Sequence, residues 1–247
     1  MLRLRSSRGI EIPGLGIFLE DVSTLVVADL HIGYEEALEV KGIHIPVSQY
    51  PRIKKELEAM IKRTNPERIV LVGDVKHEFG DITRQEWNEL IDLFRFLKEE
   101  IPEVHVVRGN HDNFLVPIIR KFGARFHEEG FLLDYVYFTH GHKELLIESL
   151  SAELIVIGHE HPAIAIRDDL GVKHKFKCLL YGDYGDKELI VLPAISPFMP
   201  GTEINAVTAN DLLSPILRRC DLLRFRVYVI DPDIGVYDFG KLEYLIY

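Results

Sequence analysis

Five apolar runs rich in β-branched residues recur along the first two thirds of the chain. Each is continuously apolar rather than alternating, which is typical of strands that are covered on both faces. The pattern therefore predicts an α/β protein with layered sheets. The runs are TLVVAD (24–29), RIVLVGD (68–74), EVHVVRG (103–109), YVYFTHG (135–141) and LIVIGHE (154–160).

Helical periodicity occupies the segments between these runs. Pro51 suits the first turn of a helix, and apolar residues follow it at helical spacing. Thr83 and Glu86 form a capping-box pattern ahead of an amphipathic segment that reaches Leu97. A shorter helix is predicted near 114–122. The last third of the chain instead predicts short strands, at 163–166, 173–180, 187–192, 224–230 and 235–239.

Composition narrows the class of protein. The chain has 247 residues, 47% of them hydrophobic, and we expect residues 1–247 to form a single domain. Its two cysteines, Cys178 and Cys220, lack CxxC spacing and are expected to be reduced thiols. No segment approaches the ~18 apolar residues of a membrane helix. Glu11 interrupts the basic N-terminal segment, so a signal peptide is not expected. We therefore expect a cytoplasmic protein with no membrane partner.

The net charge is −10 at pH 7. An acidic protein lacks the broad basic face that gives nonspecific duplex binding its affinity, so the charge disfavours nucleic acid as a partner. A local basic groove would not be visible in the net charge, and nucleic acid is kept as an alternative partner for that reason.

Side chains that can bind metal follow each of the five apolar runs. Taken singly, such residues are common in turns, where they are usually solvated. Sites in layered α/β folds form outside the carboxyl ends of strands, where loops from separate strands converge. Five such ends predict one shared metal centre. The residues are Asp29 and His31, then Asp74, then Asn110, His111 and Asp112, then His140 and His142, and finally His159 and His161.

The ordered motifs resemble those of a known family, the calcineurin-like metallophosphoesterases. They are Asp-x-His (29–31), Gly-Asp (73–74), Gly-Asn-His-Asp (109–112), His-Gly-His (140–142) and Gly-His-x-His (158–161). More narrowly, the segments DLHIGYEEAL, GDVKHEF, GHEHP and LPAISP are similar to small archaeal and bacterial phosphoesterases related to DNA-repair nucleases. The resemblance implies an α/β fold of four layers, an α-β-β-α sandwich of two packed sheets flanked by helices.

The same resemblance implies a role for each matching position. One metal ion would be bound by Asp29, His31 and His161, and a second by Asn110, His140 and His159. Asp74 would bridge the two ions. His111 would face the substrate and protonate the leaving group, and Asp112 would orient the His111 imidazole.

Three further residues are candidates for binding substrate, and each has an alternative. His77 and His142 lie in motif loops and contact either the substrate or the metal ligands. Arg108 precedes the Gly-Asn-His-Asp turn and either binds phosphate or forms a structural ion pair.

Imidazole, carboxylate and amide-oxygen ligands suit two divalent ions, above all Mn²⁺, with Fe or Zn²⁺ as alternatives. The expected reaction is hydrolysis of phosphomonoesters or phosphodiesters, nucleotides included, by in-line attack of a metal-bridging hydroxide. A nuclease acting on single strands or ends is the second interpretation, and a non-catalytic scaffold the third. The segment GDVKHEFGD and Asp112 depart from the protein phosphatases of this superfamily, which argues against that substrate class. The sequence gives no indication of oligomeric state.

Overall fold

A computed structural model describes residues 2–4, 8–40, 42–43, 48–77 and 83–246, and within them two sheets form the centre. The first sheet has seven strands in chain order. They are β1 (Leu2–Arg3), β2 (Ile10–Gly14), β3 (Gly16–Leu19), β4 (Thr24–Val27), β5 (Arg68–Val72), β6 (Glu103–Val107) and β7 (Arg125–His127). Strands β1 to β4 form an antiparallel meander, whereas β4 to β7 are parallel.

The second sheet has nine strands among the described residues. They are β8 (Phe131–Leu133), β9 (Val136–Phe138), β10 (Leu154–Ile157), β11 (Pro162–Arg167), β12 (Lys173–Tyr184), β13 (Lys187–Val191), β14 (Thr202–Glu203), β15 (Arg226–Asp231) and β16 (Gly235–Lys241). Their order is β14-β11-β12-β13-β10-β9-β8, and β15 joins β12 to β16. Strands β9, β10 and β13 are parallel at its centre.

Four α-helices lie in the described ranges, and the last three of them contact strands of the first sheet. They are α1 (Tyr34–Val40), α2 (Tyr50–Thr64), α3 (Arg84–Glu100) and α4 (Val116–Lys121). Helix α2 contacts β2 and β4, α3 contacts β6, and α4 contacts β7. Pro51 lies in the first turn of α2, and the Thr83 hydroxyl caps α3 by accepting from the Glu86 amide (3.1 Å). The Glu86 carboxylate accepts from the His77 amide (3.1 Å).

Short 3-10 helices form the fourth layer, on the outer face of the second sheet. Ile216, Leu217 and Phe225 from this layer join a buried cluster with Ile155 and Leu189 of the sheet. The 3-10 helices are Ala209–Asp211, Leu217–Arg219, Leu222–Arg224 and Leu242–Tyr244. The predicted α/β class with two packed sheets and flanking helices is thus confirmed.

The main core lies between the two sheets and under the helices of the first. Strands β4, β5, β6, β9 and β10 are almost entirely buried, which accounts for their continuously apolar sequences. Residues from the second sheet, such as Phe138, Val156 and Ile190, pack in the same cluster as Val26 and Val70 of the first. The two cysteines are free thiols, as predicted. No helix in the described ranges is long and apolar enough to cross a membrane.

Candidate metal centre

The predicted ligands lie at the carboxyl ends of strands from both sheets. Backbone hydrogen bonds hold the loops after β4 and β5 together, because the Asp29 amide donates to Gly73 O (3.1 Å) and the His31 amide to Asp74 O (2.9 Å). The loop after β10 joins them through its His159 amide, which donates to Asp29 Oδ2 (3.0 Å). The site is therefore built from fixed loops at one edge of the sandwich.

Five of these loop residues have left-handed backbone conformations. Positive φ is uncommon for residues other than glycine, and it clusters at functional sites, where the surrounding structure holds it. Glycine or asparagine would adopt these angles at lower cost, yet the chain carries only aspartate and histidine here. The residues are Asp29 (58°), His31 (46°), Asp74 (47°), His159 (67°) and His161 (49°).

Asp29, His31 and His161 form the first donor group, and their ligand atoms lie within 4.8 Å of one another. His161 Nε2 is 3.3 Å from Asp29 Oδ1 and 3.4 Å from His31 Nε2. Asp29 is fully buried, and its Oδ1 accepts no hydrogen bond from the described part of the chain. A buried carboxylate oxygen that faces ring nitrogens without a hydrogen bond is what a cation site requires.

Asp74, His140 and His159 form the second group, again with ligand atoms within 4.8 Å. His140 Nε2 is 3.3 Å from Asp74 Oδ2 and 3.2 Å from Asn110 Oδ1, so Asn110 belongs to this group. His140 Nδ1 is 3.0 Å from the Val72 carbonyl, which fixes the ring with Nε2 facing the group. Burial lowers the pKa of His140, but the Asp74 carboxylate outweighs it and raises that pKa to about 9.

Asp74 lies between the two groups. Its Oδ2 is 3.3 Å from His140 Nε2 and 3.8 Å from His31 Nε2, and its Oδ1 accepts from the His111 amide (2.9 Å). Burial favours protonation of this carboxyl, but His140, His31 and His111 outweigh that effect and hold the pKa of Asp74 well below its usual range. A side chain at Gly109 would place its Cβ 2.1 Å from Asp74 Oδ1, so only glycine fits there.

His111 and Asp112 follow this glycine, and their side chains diverge. His111 Nε2 faces the centre, 3.8 Å from Asp74 Oδ2, while Nδ1 contacts the His77 carbonyl. The Asp112 carboxylate is buried and accepts from the amides of Gly109 (2.8 Å), Val75 (2.8 Å) and Lys76 (3.3 Å). In the described contacts Asp112 therefore joins the loops after β5 and β6, and the predicted contact with the His111 imidazole is made by the His77 carbonyl instead.

Comparison with known proteins gives the family. Residues 22–142 match the family model of the calcineurin-like phosphoesterases, and they contain four of the five motifs. Residues 22–142 of the chain therefore belong to this family.

Solved structures similar to this chain include a nuclease and a phosphoesterase. The Pseudomonas putida nuclease MPE is 18% identical, with a TM-score of 0.64 over 92% of this chain and 94% of that one. The phosphoesterase Yfce from E. coli is 15% identical, with a TM-score of 0.43 over 90% of this chain and 94% of that one. At 18% identity, the likeness to the nuclease MPE shows the fold alone. No curated protein sequence matches the chain.

The three residues that the sequence offered as substrate contacts lie in different places. Arg108 donates to Glu128 Oε2 (2.7 Å) and Asn113 Oδ1 (2.8 Å), so it forms the structural ion pair that was its alternative. The His142 ring is 5.2 Å from that of His140, and burial together with His140 lowers the pKa of His142 to about 4. His77 lies beside the first group, with Nδ1 3.2 Å from His31 Nδ1.

Two residues near the candidate site were not predicted from the sequence. The Tyr34 ring packs against the His77 ring (4.1 Å), and its position directly after the DLHIG segment was the available signal. Lys177 Nζ donates to the carbonyls of Ala194 (2.6 Å) and Ser196. The Ser196 amide in turn donates to Asp29 O (3.2 Å), so Lys177 steadies the loop that supports Asp29. Nothing in the lysine's own sequence context indicated this role.

Proposed function

We propose that this protein is a binuclear-metal-dependent phosphoesterase that hydrolyses phosphomonoesters or phosphodiesters, with residues 1–247 as one domain. The observation that carries the proposal is the position of Asp74 between two donor groups, each drawn from both sheets. Family membership supports a metal-dependent hydrolase of phosphate esters. The number of ions, their identity and the substrate are the proposed part.

The donor set fits two divalent cations. One group offers Asp29, His31 and His161, and the other Asn110, His140 and His159, with Asp74 shared. Imidazole, carboxylate and amide oxygen without thiolate suit Mn²⁺ best, with Fe or Zn²⁺ as alternatives. When bound there, such ions would polarise the phosphoryl oxygens and lower the pKa of water near phosphorus.

His111 supplies the proton in this proposal. Its Nδ1 is anchored at the His77 carbonyl, and its Nε2 faces the centre from a partly exposed side chain. This geometry presents Nε2 to the oxygen that leaves phosphorus, which is where a general acid is needed. Asp112 contributes by fixing the turn that carries His111 and Asn110, through its bonds to the Gly109, Val75 and Lys76 amides.

A nuclease is the second candidate function. The observation that favours it is the fold shared with the Pseudomonas putida nuclease over nearly the whole chain. The net charge of −10 argues against tight binding of duplex DNA. A panel of aryl mono- and diesters, nucleotides, and single- and double-stranded DNA at physiological salt separates the two candidates. Cleavage of DNA alone would favour the second.

The test of the metal role combines chelation with Asp74→Asn. Chelator should abolish hydrolysis of a nitrophenyl phosphate ester, and added Mn²⁺ should restore it. Because Asp74 serves both groups, Asp74→Asn should lower the metal content at both positions, as measured by elemental analysis. Asp168→Asn, an exposed carboxylate paired with His174, is the matched control and should keep both ions. Full activity in chelator, or two ions retained in Asp74→Asn, would contradict the proposal.

A further inference from the structure

Three imidazoles meet on one side of the first donor group. The ligand atoms of His31, His77 and His111 lie within 4.8 Å of one another. The three rings are almost equally spaced, since the His31 ring lies 5.2 Å from that of His77 and 5.0 Å from that of His111. The rings of His77 and His111 stack on each other at 5.2 Å with an interplanar angle of 27°.

The two nitrogens of His31 face different partners. Nε2 faces the donor group, 3.4 Å from His161 Nε2 and 3.8 Å from Asp74 Oδ2, whereas Nδ1 is 3.2 Å from His77 Nδ1. A histidine that binds a cation through Nε2 carries its proton on Nδ1 and donates it to a neighbour. His77 Nδ1 must therefore be the acceptor, which fixes His77 as the tautomer protonated on Nε2.

The backbone of His77 makes the second contact. Its carbonyl faces Nδ1 of His111, so it accepts the proton on that nitrogen and leaves His111 Nε2 facing Asp74 Oδ2 (3.8 Å). One residue thus contacts a predicted metal ligand through its ring and the proposed general acid through its carbonyl.

His77 is itself held firmly. Its amide donates to Ile32 O (2.9 Å) in the loop that carries His31, and to Oε1 of Glu86 (3.1 Å), which is fully buried in the first turn of α3. The Tyr34 ring packs against the His77 ring at 4.1 Å. Backbone and ring are both fixed, as a residue that orients others requires.

We infer that His77 is a positioning residue: its Nδ1 accepts from His31 Nδ1 and orients His31 toward a cation, and its carbonyl orients His111. This inference rests on the proposed function. Of the two alternatives that the sequence leaves for His77, it selects contact with a predicted metal ligand over contact with substrate. The two contacts of His77 can be tested separately, because a substitution removes the ring nitrogen and leaves the backbone carbonyl in place.

Two variants of His77 distinguish the effect of the ring nitrogen from the effect of the ring's shape. His77→Phe keeps a ring between Tyr34 and His111 but loses the acceptor, whereas His77→Asn places Oδ1 near the position of Nδ1. Loss of such an outer hydrogen-bond partner typically costs about 10–100-fold in metal affinity. We expect His77→Phe to lose about this much affinity for one Mn²⁺ of the two, and His77→Asn to recover most of it.

The measurement is Mn²⁺ titration by calorimetry on the full-length protein, with thermal melting to confirm that each variant folds. His174→Phe, which alters an exposed histidine paired with Asp168, is the matched control and should bind Mn²⁺ like the wild type. Kinetics at saturating Mn²⁺ give a second readout. The dependence of rate on leaving-group pKa should be unchanged in His77→Phe, because the carbonyl that orients His111 remains.

Two results would overturn the inference. One is wild-type Mn²⁺ affinity in folded His77→Phe with a raised KM, which would indicate substrate contact. The other is equal loss of affinity in His77→Phe and His77→Asn, which would show that the acceptor atom does not matter. A wild-type protein that binds Mn²⁺ but cleaves no phosphate ester would contradict the proposed function. The comparison of Mn²⁺ affinity between His77→Phe and His77→Asn would still decide the role of His77.

Discussion

Asp112→Asn tests how the loops of the candidate site are held together. The Asp112 carboxylate accepts hydrogen bonds from three buried backbone amides, two on Oδ1 and one on Oδ2. The side chain of asparagine has only one acceptor oxygen. At least one amide would then face an NH₂ group. Hydrogen bonds to a charged group contribute about 1.5–3 kcal/mol each, and an unsatisfied buried donor costs about 1–3 kcal/mol.

A part of this loss is offset. Burial and the nearby Asp74 carboxylate raise the pKa of Asp112 to about 7, so the native state already carries an unfavourable buried charge there. A neutral amide removes that cost. The net destabilisation should be about 2–4 kcal/mol, which for a domain of this size lowers Tm by about 4–16 °C.

The assay is thermal unfolding of the metal-free proteins, followed by Mn²⁺ titration. Asp112→Asn should melt lower than the wild type and bind both ions more weakly, because the loops it joins carry Asp74 and Asn110. Asp168→Asn controls for removal of an exposed aspartate. The leaving-group dependence of the rate should stay at its wild-type value. An unchanged Tm together with an altered leaving-group dependence would refute this reasoning and restore the predicted contact between Asp112 and the His111 imidazole.

Two further predictions concern histidines. His111→Asn should slow esters with alkoxide leaving groups by about 10²–10⁴-fold, and nitrophenyl esters much less, because only the former need a proton; equal losses in kcat for both would contradict the acid role. Burial, His105 and Arg125 lower the pKa of His127 to about 4. As the pH falls, His127 is therefore protonated in the unfolded chain before it is protonated in the native state, and the free energy of unfolding decreases between about pH 6.5 and 4. His127→Phe should flatten that decline by up to about 2 kcal/mol in urea unfolding at stepped pH, and an unchanged slope would count against it.

The sequence predicted which residues lie together, because the ends of strands are visible in a sequence. Apolar runs that finish in Asp29, Asp74 or His159 predict both a buried strand and a polar side chain at its carboxyl end. Parallel pairing then brings those ends together, and this requires no knowledge of loop conformation. The same reasoning predicted the helices from Pro51 and Thr83.

What it missed depends on loop conformation and on contacts between distant segments. Asp112 follows His111 directly, yet the turn directs its carboxylate to the Gly109 amide and to the loop after β5. The contact between His77 and His31 likewise depends on how two loops lie side by side. Strands β2 and β3 were not predicted, because the glycines at 14 and 16 weaken the pattern of a continuous strand.

The distribution of the ligands over the two sheets gives the strained backbone a physical reason. In the first group Asp29 and His31 come from the first sheet and His161 from the second, and Asp74 and His140 divide the second group in the same way. Each non-glycine residue in the left-handed region costs about 1–2 kcal/mol, which is large against a net stability of about 5–15 kcal/mol. Hydrogen bonds between the loops offset a part of that cost. A cation that binds only the native state would raise the free energy of unfolding by about 2.7 kcal/mol at a hundred times its Kd. Because its ligands come from both sheets, this stabilisation would hold the two sheets together. The strain is therefore concentrated where bound metal would stabilise the packing of one sheet on the other.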